Sequence, residues 1–147
     1  MKFSASVTID APIERVWETL TDETRLPLWS AGYPLLSYPE GARRADPTGQ
    51  QFVLSFPNVG PPREVHGEYV LFSAPDRLVV RCRDGEKMSL VTYALRSEGQ
   101  RTTMLVTSET SEYRSAVLQF FGRLLGPLYR AMFRSSLSRL KRLVERA

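Results

Sequence analysis

The chain of 147 residues holds one cysteine, one histidine and only three lysines among its twenty basic residues. A single cysteine, Cys82, excludes an intrachain disulfide and gives no sign of secretion. With one histidine, His66, and one cysteine there is no dedicated zinc ligand set, and no ligand spacing points to one. A glycine-rich phosphate loop and a dinucleotide fingerprint are also missing. The sequence therefore predicts no metal and no cofactor. No stretch approaches the roughly 18 uninterrupted apolar residues of a membrane-spanning helix. The opening MKFSASVTID alternates polar and apolar residues without the apolar core of a signal peptide, so a soluble, cytoplasmic domain is expected.

What is present fits one globular domain over residues 1–147. Hydrophobic residues make up 42% and charged residues 24%, enough to bury a substantial core. The net charge of +4 is unevenly spread. Residues 113–147 carry eight basic side chains (Arg114, Arg123, Arg130, Arg134, Arg139, Lys141, Arg142, Arg146) against Glu145 alone, whereas residues 1–112 are mildly acidic. The plain reading is a solvated basic helix face. The sharper one is a surface for anionic lipid headgroups or an acidic partner. Nucleic acid is not expected, because no aromatic or motif signature accompanies the basic segment.

Along the chain, Phe3, Ala5, Val7 and Ile9 alternate with polar residues, as in a half-buried strand. Asp10 and Pro12 announce a helix, and Ile13, Val16, Trp17 and Leu20 place one apolar stripe on it. A second short helix carries Leu26, Leu28 and Trp29, its length limited by Pro27. From about residue 33 to 110 the pattern is strand and turn. QFVLSF, VHGEYVLF, RLVVRCR, KMSLVTYALR and TTMLVTSET read as strands, and SAPD, DGE and SEGQ between the later ones suit antiparallel hairpins. The last 34 residues switch to helical spacing through Val117, Phe121, Leu124, Leu128 and Met132 to Leu140. Gly126-Pro127 inside that run predicts a kink or break.

This order predicts an α+β fold: a curved antiparallel sheet of 6–7 strands wrapped around a long C-terminal helix, with two short helices after the first strand. One helix covers the middle of a concave sheet without filling it, so a cavity is expected. Residues 11–30, which hold both tryptophans, would close one end of it. The segments IDAPIERVWETLTD (9–22) with Trp29, PDRLVVR (75–81) and LKRLVE (140–145) resemble the START-like (SRPBCC, helix-grip) superfamily, especially its bacterial polyketide cyclase/dehydrase-like branch. That resemblance spans nearly the whole chain. It implies binding of apolar or amphipathic small molecules in a central cavity, occasionally with catalysis.

The inward candidates for such a site are Trp29, Phe52, Leu54, Phe56, Tyr93, Met104, Phe121, Leu124 and Leu128, each also readable as plain core. Tyr93 would bring a hydroxyl that needs a partner. Glu64, His66 and Glu68 share one strand face, and their direction turns on parity. If Val70 and Phe72 face the cavity, His66 and Glu68 face it with them and can move protons; if Tyr69 and Leu71 do, the cluster is solvated. His66, Glu68 and Tyr93 are thus the catalytic candidates, with a non-catalytic His66 preferred. Arg81 and Arg83 are expected to point outward, leaving Leu78, Val80 and Cys82 inside, with Cys82 a small buried filler. The function read from these features is binding or carriage of a lipid-, polyketide- or isoprenoid-like molecule, delivered at an anionic membrane surface by the basic helix. The alternative is a cyclase, aromatase or dehydrase using the same cavity.

Overall fold

A computed structural model describes residues 2–57, 60–85, 87–111 and 116–146, with the side chains of 116–125 outside the description. The chain opens with strand β1 (Lys2–Ile9), followed by helices α1 (Ile13–Thr21) and α2 (Leu26–Trp29). Strands β2 (Leu35–Ser37), β3 (Gln51–Ser55), β4 (Glu64–Ser73), β5 (Arg77–Asp84), β6 (Lys87–Glu98) and β7 (Arg101–Ser111) then form a meander, and helix α3 (Ala116–Arg146) ends the chain. All seven strands form one antiparallel sheet in the order β1-β7-β6-β5-β4-β3-β2. This is the helix-grip arrangement, with β1 returned to the side of the last strand. Among the described residues no helix is long and apolar enough to cross a membrane.

Local chemistry explains the elements. Every second residue of β1 from Phe3 to Ile9 turns toward the helix side, and the residues between them are exposed. Pro12 sits at the start of α1 with φ −67°, the value its ring imposes. From there Val16, Trp17 and Leu20 enter the core. Pro27 occupies the first turn of α2, where its missing N–H removes no helical bond. The core joins Ile9, Val16, Met104 and Val106 to Leu137, Leu140 and Val144 of α3.

Polar contacts then fix α3 against the rest. Lys141 Nζ donates to the Thr8 carbonyl (2.8 Å), and Arg139 Nε donates to the Trp29 carbonyl (3.0 Å). Ser136 Oγ accepts from the Ala31 N–H (3.1 Å) while donating to the Met132 carbonyl (3.1 Å). Part of the basic character of the C-terminal segment is therefore used structurally, to clamp α3 to β1 and α2.

Three features differ from the sequence expectation. Strand β2, three residues long, is too short to show a period. Helix α3 runs through Gly126-Pro127 as a single element, so of the expected kink or break the break does not occur. Pro127 lies on an exposed side, where water can take up the acceptor its ring leaves without a donor. In β4 the register slips between Tyr69 and Leu71, placing a β-bulge at Val70. Residues before and after the bulge therefore follow opposite parity.

Candidate functional site

The inner face of the sheet, α2 and the described part of α3 enclose a cavity of two adjoining lobes. The outer lobe, about 230 Å³, lies between α3 and the ends of β6 and β7. The second lobe, about 140 Å³ and termed the deep lobe for its place under α1 and α2, lies against β3 and β5; both lobes are about half open. Trp29, Ser30, Val91 and Tyr93 line both, so they form the junction. Together the lobes reach the lower part of the range of roughly 300–1,000 Å³ usual for small-molecule sites.

The deep lobe is almost wholly apolar. Leu20 and Leu26 come from the short helices, Phe52 and Leu54 from β3, and Leu78, Val80 and Cys82 from β5. Burial, reinforced by Asp84, raises the Cys82 thiol to about 11, so at neutral pH it is an inert wall group. The outer lobe mixes character: Met132, Phe133 and Leu137 of α3 stand opposite Ser89, Ser108, Thr110 and Lys87, with Phe3 beside Ser108 on the sheet.

Two donors at the junction have no partner among the described residues. Trp29 is 4% exposed, and its indole Nε1 is buried without a hydrogen bond. A buried N–H left unpaired costs about 1–3 kcal/mol; Nε1 has almost no accessible surface, so an acceptor on a bound molecule meets it only if the indole shifts. Tyr93 likewise makes no hydrogen bond with a described residue, and burial, reinforced by Cys82, raises its phenol well above the ordinary value. The hydroxyl therefore stays protonated and available as a donor. Tyr93 is only partly covered by protein atoms, as expected of a side chain whose remaining surface faces a cavity.

Other sequence candidates stand elsewhere. The bulge at Val70 lets both Tyr69 and Phe72 face inward, while His66 and Glu68 lie on the outer face with the strand portion before it. His66 is 67% exposed beside Glu64 (3.9 Å), and Glu68 meets Arg81 (3.5 Å) in solvent. As cavity-facing catalytic groups these two are corrected: neither lines either lobe. Val70 is the bulge residue. Phe72 packs edge-on against Trp17 (5.2 Å) and Tyr69 (5.5 Å) as core. Met104 is completely buried and lines neither lobe. Phe56 lies under Arg63 (4.5 Å), away from both lobes, and Leu128 is 56% exposed. Trp29, Phe52, Leu54 and Tyr93 do line the cavity. The Phe121 and Leu124 side chains lie outside the described residues. Arg81 and Arg83 point outward, with Leu78, Val80 and Cys82 on the inner side. Sequence reasoning missed Lys87, Ser89, Ser108 and Thr110. Their signal was the period of two that they share with Val91, Tyr93 and Val106.

The model of one family, described as polyketide cyclase/dehydrase and lipid transport, matches residues 1–145. The chain belongs to that family. Solved structures carry the same fold at low identity. A conserved protein from Geobacillus kaustophilus is 15% identical with a TM-score of 0.75, over 99% of this chain and 96% of that one. An AHSA1-like protein from Aeromonas hydrophila is 24% identical with a TM-score of 0.67, over 99% and 92%. DynU16, a protein in the dynemicin biosynthetic locus, is 22% identical with a TM-score of 0.71 over 98% of this chain, which spans just under half (47%) of DynU16. No curated protein matches the chain significantly. Within the polyketide cyclase/dehydrase and lipid transport family, the fold is that of a hydrophobic-ligand binder, and the two-lobed cavity is this member's candidate binding site.

Proposed function

We propose that this protein binds and carries one hydrophobic or amphipathic small molecule, of lipid-, polyketide- or isoprenoid-like character, in the two-lobed cavity. The observation that carries this reading is the lining: apolar walls, scattered hydroxyls and one lysine, Lys87, at the rim, with no Asp, Glu or His among the described residues of either lobe to take or return its proton. A site built to move protons needs a group that titrates near neutrality. The deep lobe offers only a thiol and a phenol, both pushed upward by burial. The Tyr93 hydroxyl, and Trp29 Nε1 after a shift of the indole, instead serve as donors toward a ligand oxygen at the junction.

The enzymatic alternative, a cyclase, aromatase or dehydrase, is favoured by one feature: Trp29, Ser30 and Tyr93, all able to donate hydrogen bonds, line the same junction, and donors aimed at a carbonyl oxygen polarise it. Titration with the neutral fluorophore N-phenylnaphthylamine, followed by displacement with extracted ligand, tests occupancy of the cavity. Val91→Phe places a ring at the junction of the lobes and is expected to weaken the fluorophore about tenfold or more, while leaving thermal stability unchanged or raised. Equal affinity in wild type and Val91→Phe would remove the cavity from consideration. Native mass spectrometry of the loaded protein then separates carriage from turnover, since a carried ligand keeps its mass.

Delivery at an anionic membrane belongs to the same reading through Arg130 and Arg134, which are exposed beside exposed Leu128 and Met132 on α3. Binding to vesicles containing an anionic lipid should weaken as salt is raised; salt-independent binding would count against it.

A further inference from the structure

The inner face of β6 and β7 changes polarity in a single direction. On β6 the inward residues run Leu95, Tyr93, Val91, Ser89 and Lys87. On β7 their neighbours run Met104 beside Leu95, Val106 beside Tyr93, Ser108 beside Val91 and Thr110 beside Ser89. Two adjacent strands thus pass together from pure hydrocarbon, through hydroxyls, to an ammonium. At about 3.4 Å per residue the passage from Tyr93 to Lys87 covers roughly 20 Å. A core face has no reason to place two serines, a threonine and a lysine on inward positions, because each loses water there.

Lys87 closes the gradient at the rim of the outer lobe. Its Nζ stands 4.3 Å from the centre of the Tyr129 ring on α3, and it makes no ion pair with a described residue. Asp84, its register partner across the hairpin, is engaged by Arg63 at 3.2 Å. A ring face compensates an ammonium only in part. Consistent with this, burial lowers the Lys87 pKa despite the opposing field of Asp84.

We propose that the outer lobe is a carboxylate site: Lys87 pairs with the acid head of an amphipathic ligand, Ser89, Ser108 and Thr110 face its oxygen-bearing neighbourhood, and its hydrocarbon end enters the deep lobe past Trp29 and Tyr93. This rests on the cavity reading above and narrows it to acidic amphipaths, bound in one orientation. The Tyr129 ring holds the ammonium at the rim, so little side-chain entropy is lost when the head arrives.

The test displaces N-phenylnaphthylamine from the full-length protein with dodecanoate and with dodecanol, in wild type, Lys87→Met and Lys87→Arg. Wild type should prefer dodecanoate. Lys87→Met should lose roughly ten- to hundred-fold in dodecanoate affinity, the range for a hydrogen bond to a charged group, with dodecanol unchanged. Lys87→Arg should keep most of the dodecanoate affinity, and its thermal midpoint together with that of Lys87→Met reports folding. Dodecanoate affinity that survives Lys87→Met, or falls equally with that of dodecanol, overturns the carboxylate site while the cavity reading stands. A wild-type protein that binds neither fluorophore nor either amphipath overturns both.

Discussion

Trp29→Ala is expected to lower stability by about 3–5 kcal/mol, the usual cost of deleting a buried aromatic side chain, and to abolish selective binding. The indole is 4% exposed and belongs both to the core and to the wall between the lobes. Its removal loses apolar burial and fuses the lobes into one larger, poorly shaped void. Trp29→Phe separates the two roles. The smaller ring gives up some packing but also removes an indole N–H that is buried without a partner among the described residues. That unpaired donor costs about 1–3 kcal/mol in the empty protein, so Trp29→Phe should unfold within about 1 kcal/mol of wild type. Affinity for a carbonyl-bearing amphipath should nonetheless fall, because the donor is gone. Urea denaturation and displacement titration of the three proteins check this. If Trp29→Phe is much less stable but binds normally, the indole N–H has no role toward a ligand. The backbone of α2 is not at stake in either variant, since Arg139 holds the Trp29 carbonyl and Ser136 the Ala31 N–H.

The distribution of tryptophan in residues 11–30 follows from this arrangement. Trp17 seals the core on α1, against Phe72, and Trp29 divides the cavity on α2. The inward packing of Trp17 was legible, because helical spacing placed it on an apolar stripe; the position of Trp29 was not, since residues 11–30 were expected to close one end of the cavity and Trp29 stands between its lobes. The strands β1 and β3 to β7 were equally readable from alternation and turn residues. The parity of His66 and Glu68 was not. Alternation transmits facing along a strand only while the ladder is regular, and the bulge at Val70 breaks it. Counting back from Phe72, which does face inward, gives the wrong side for His66. Counting back from Tyr69 gives the right one. No residue type in EVHGEYVLF announces the bulge; cross-strand pairing with Val79 and Val80 creates it. The polar half of the site was hidden for a different reason. Ser89, Ser108 and Thr110 occupy inward positions that periodicity identifies, but hydroxyls in such positions carry no weight in a search for apolar lining.

Gly67→Ala should close the deep lobe by displacing Phe52, which lines that lobe and not the outer one. Phe52 pairs with Gly67 across β3 and β4, and the far end of its ring covers the place a Cβ would take. A Cβ at position 67 would stand 2.3 Å from two ring carbons, so the ring must move. On one side Tyr69 blocks it, with centroids 4.9 Å apart, and Tyr69 is in turn tied to Tyr38 by a hydrogen bond of 3.0 Å between their hydroxyls. The free direction is the deep lobe, which Phe52 already lines and whose volume is only about 140 Å³. Overpacking of this kind costs about 1–3 kcal/mol, which a fall in the urea midpoint reads directly. Because the displaced ring occupies the space meant for a ligand's hydrocarbon end, long-chain amphipaths should lose more affinity than short ones of the same head group. Gly67→Ala with Phe52→Leu replaces the ring by a smaller, more pliable side chain and should recover stability together with long-chain binding. Rescue of stability without rescue of binding would mean that the hydrocarbon end lies elsewhere than between β3, β5 and α2.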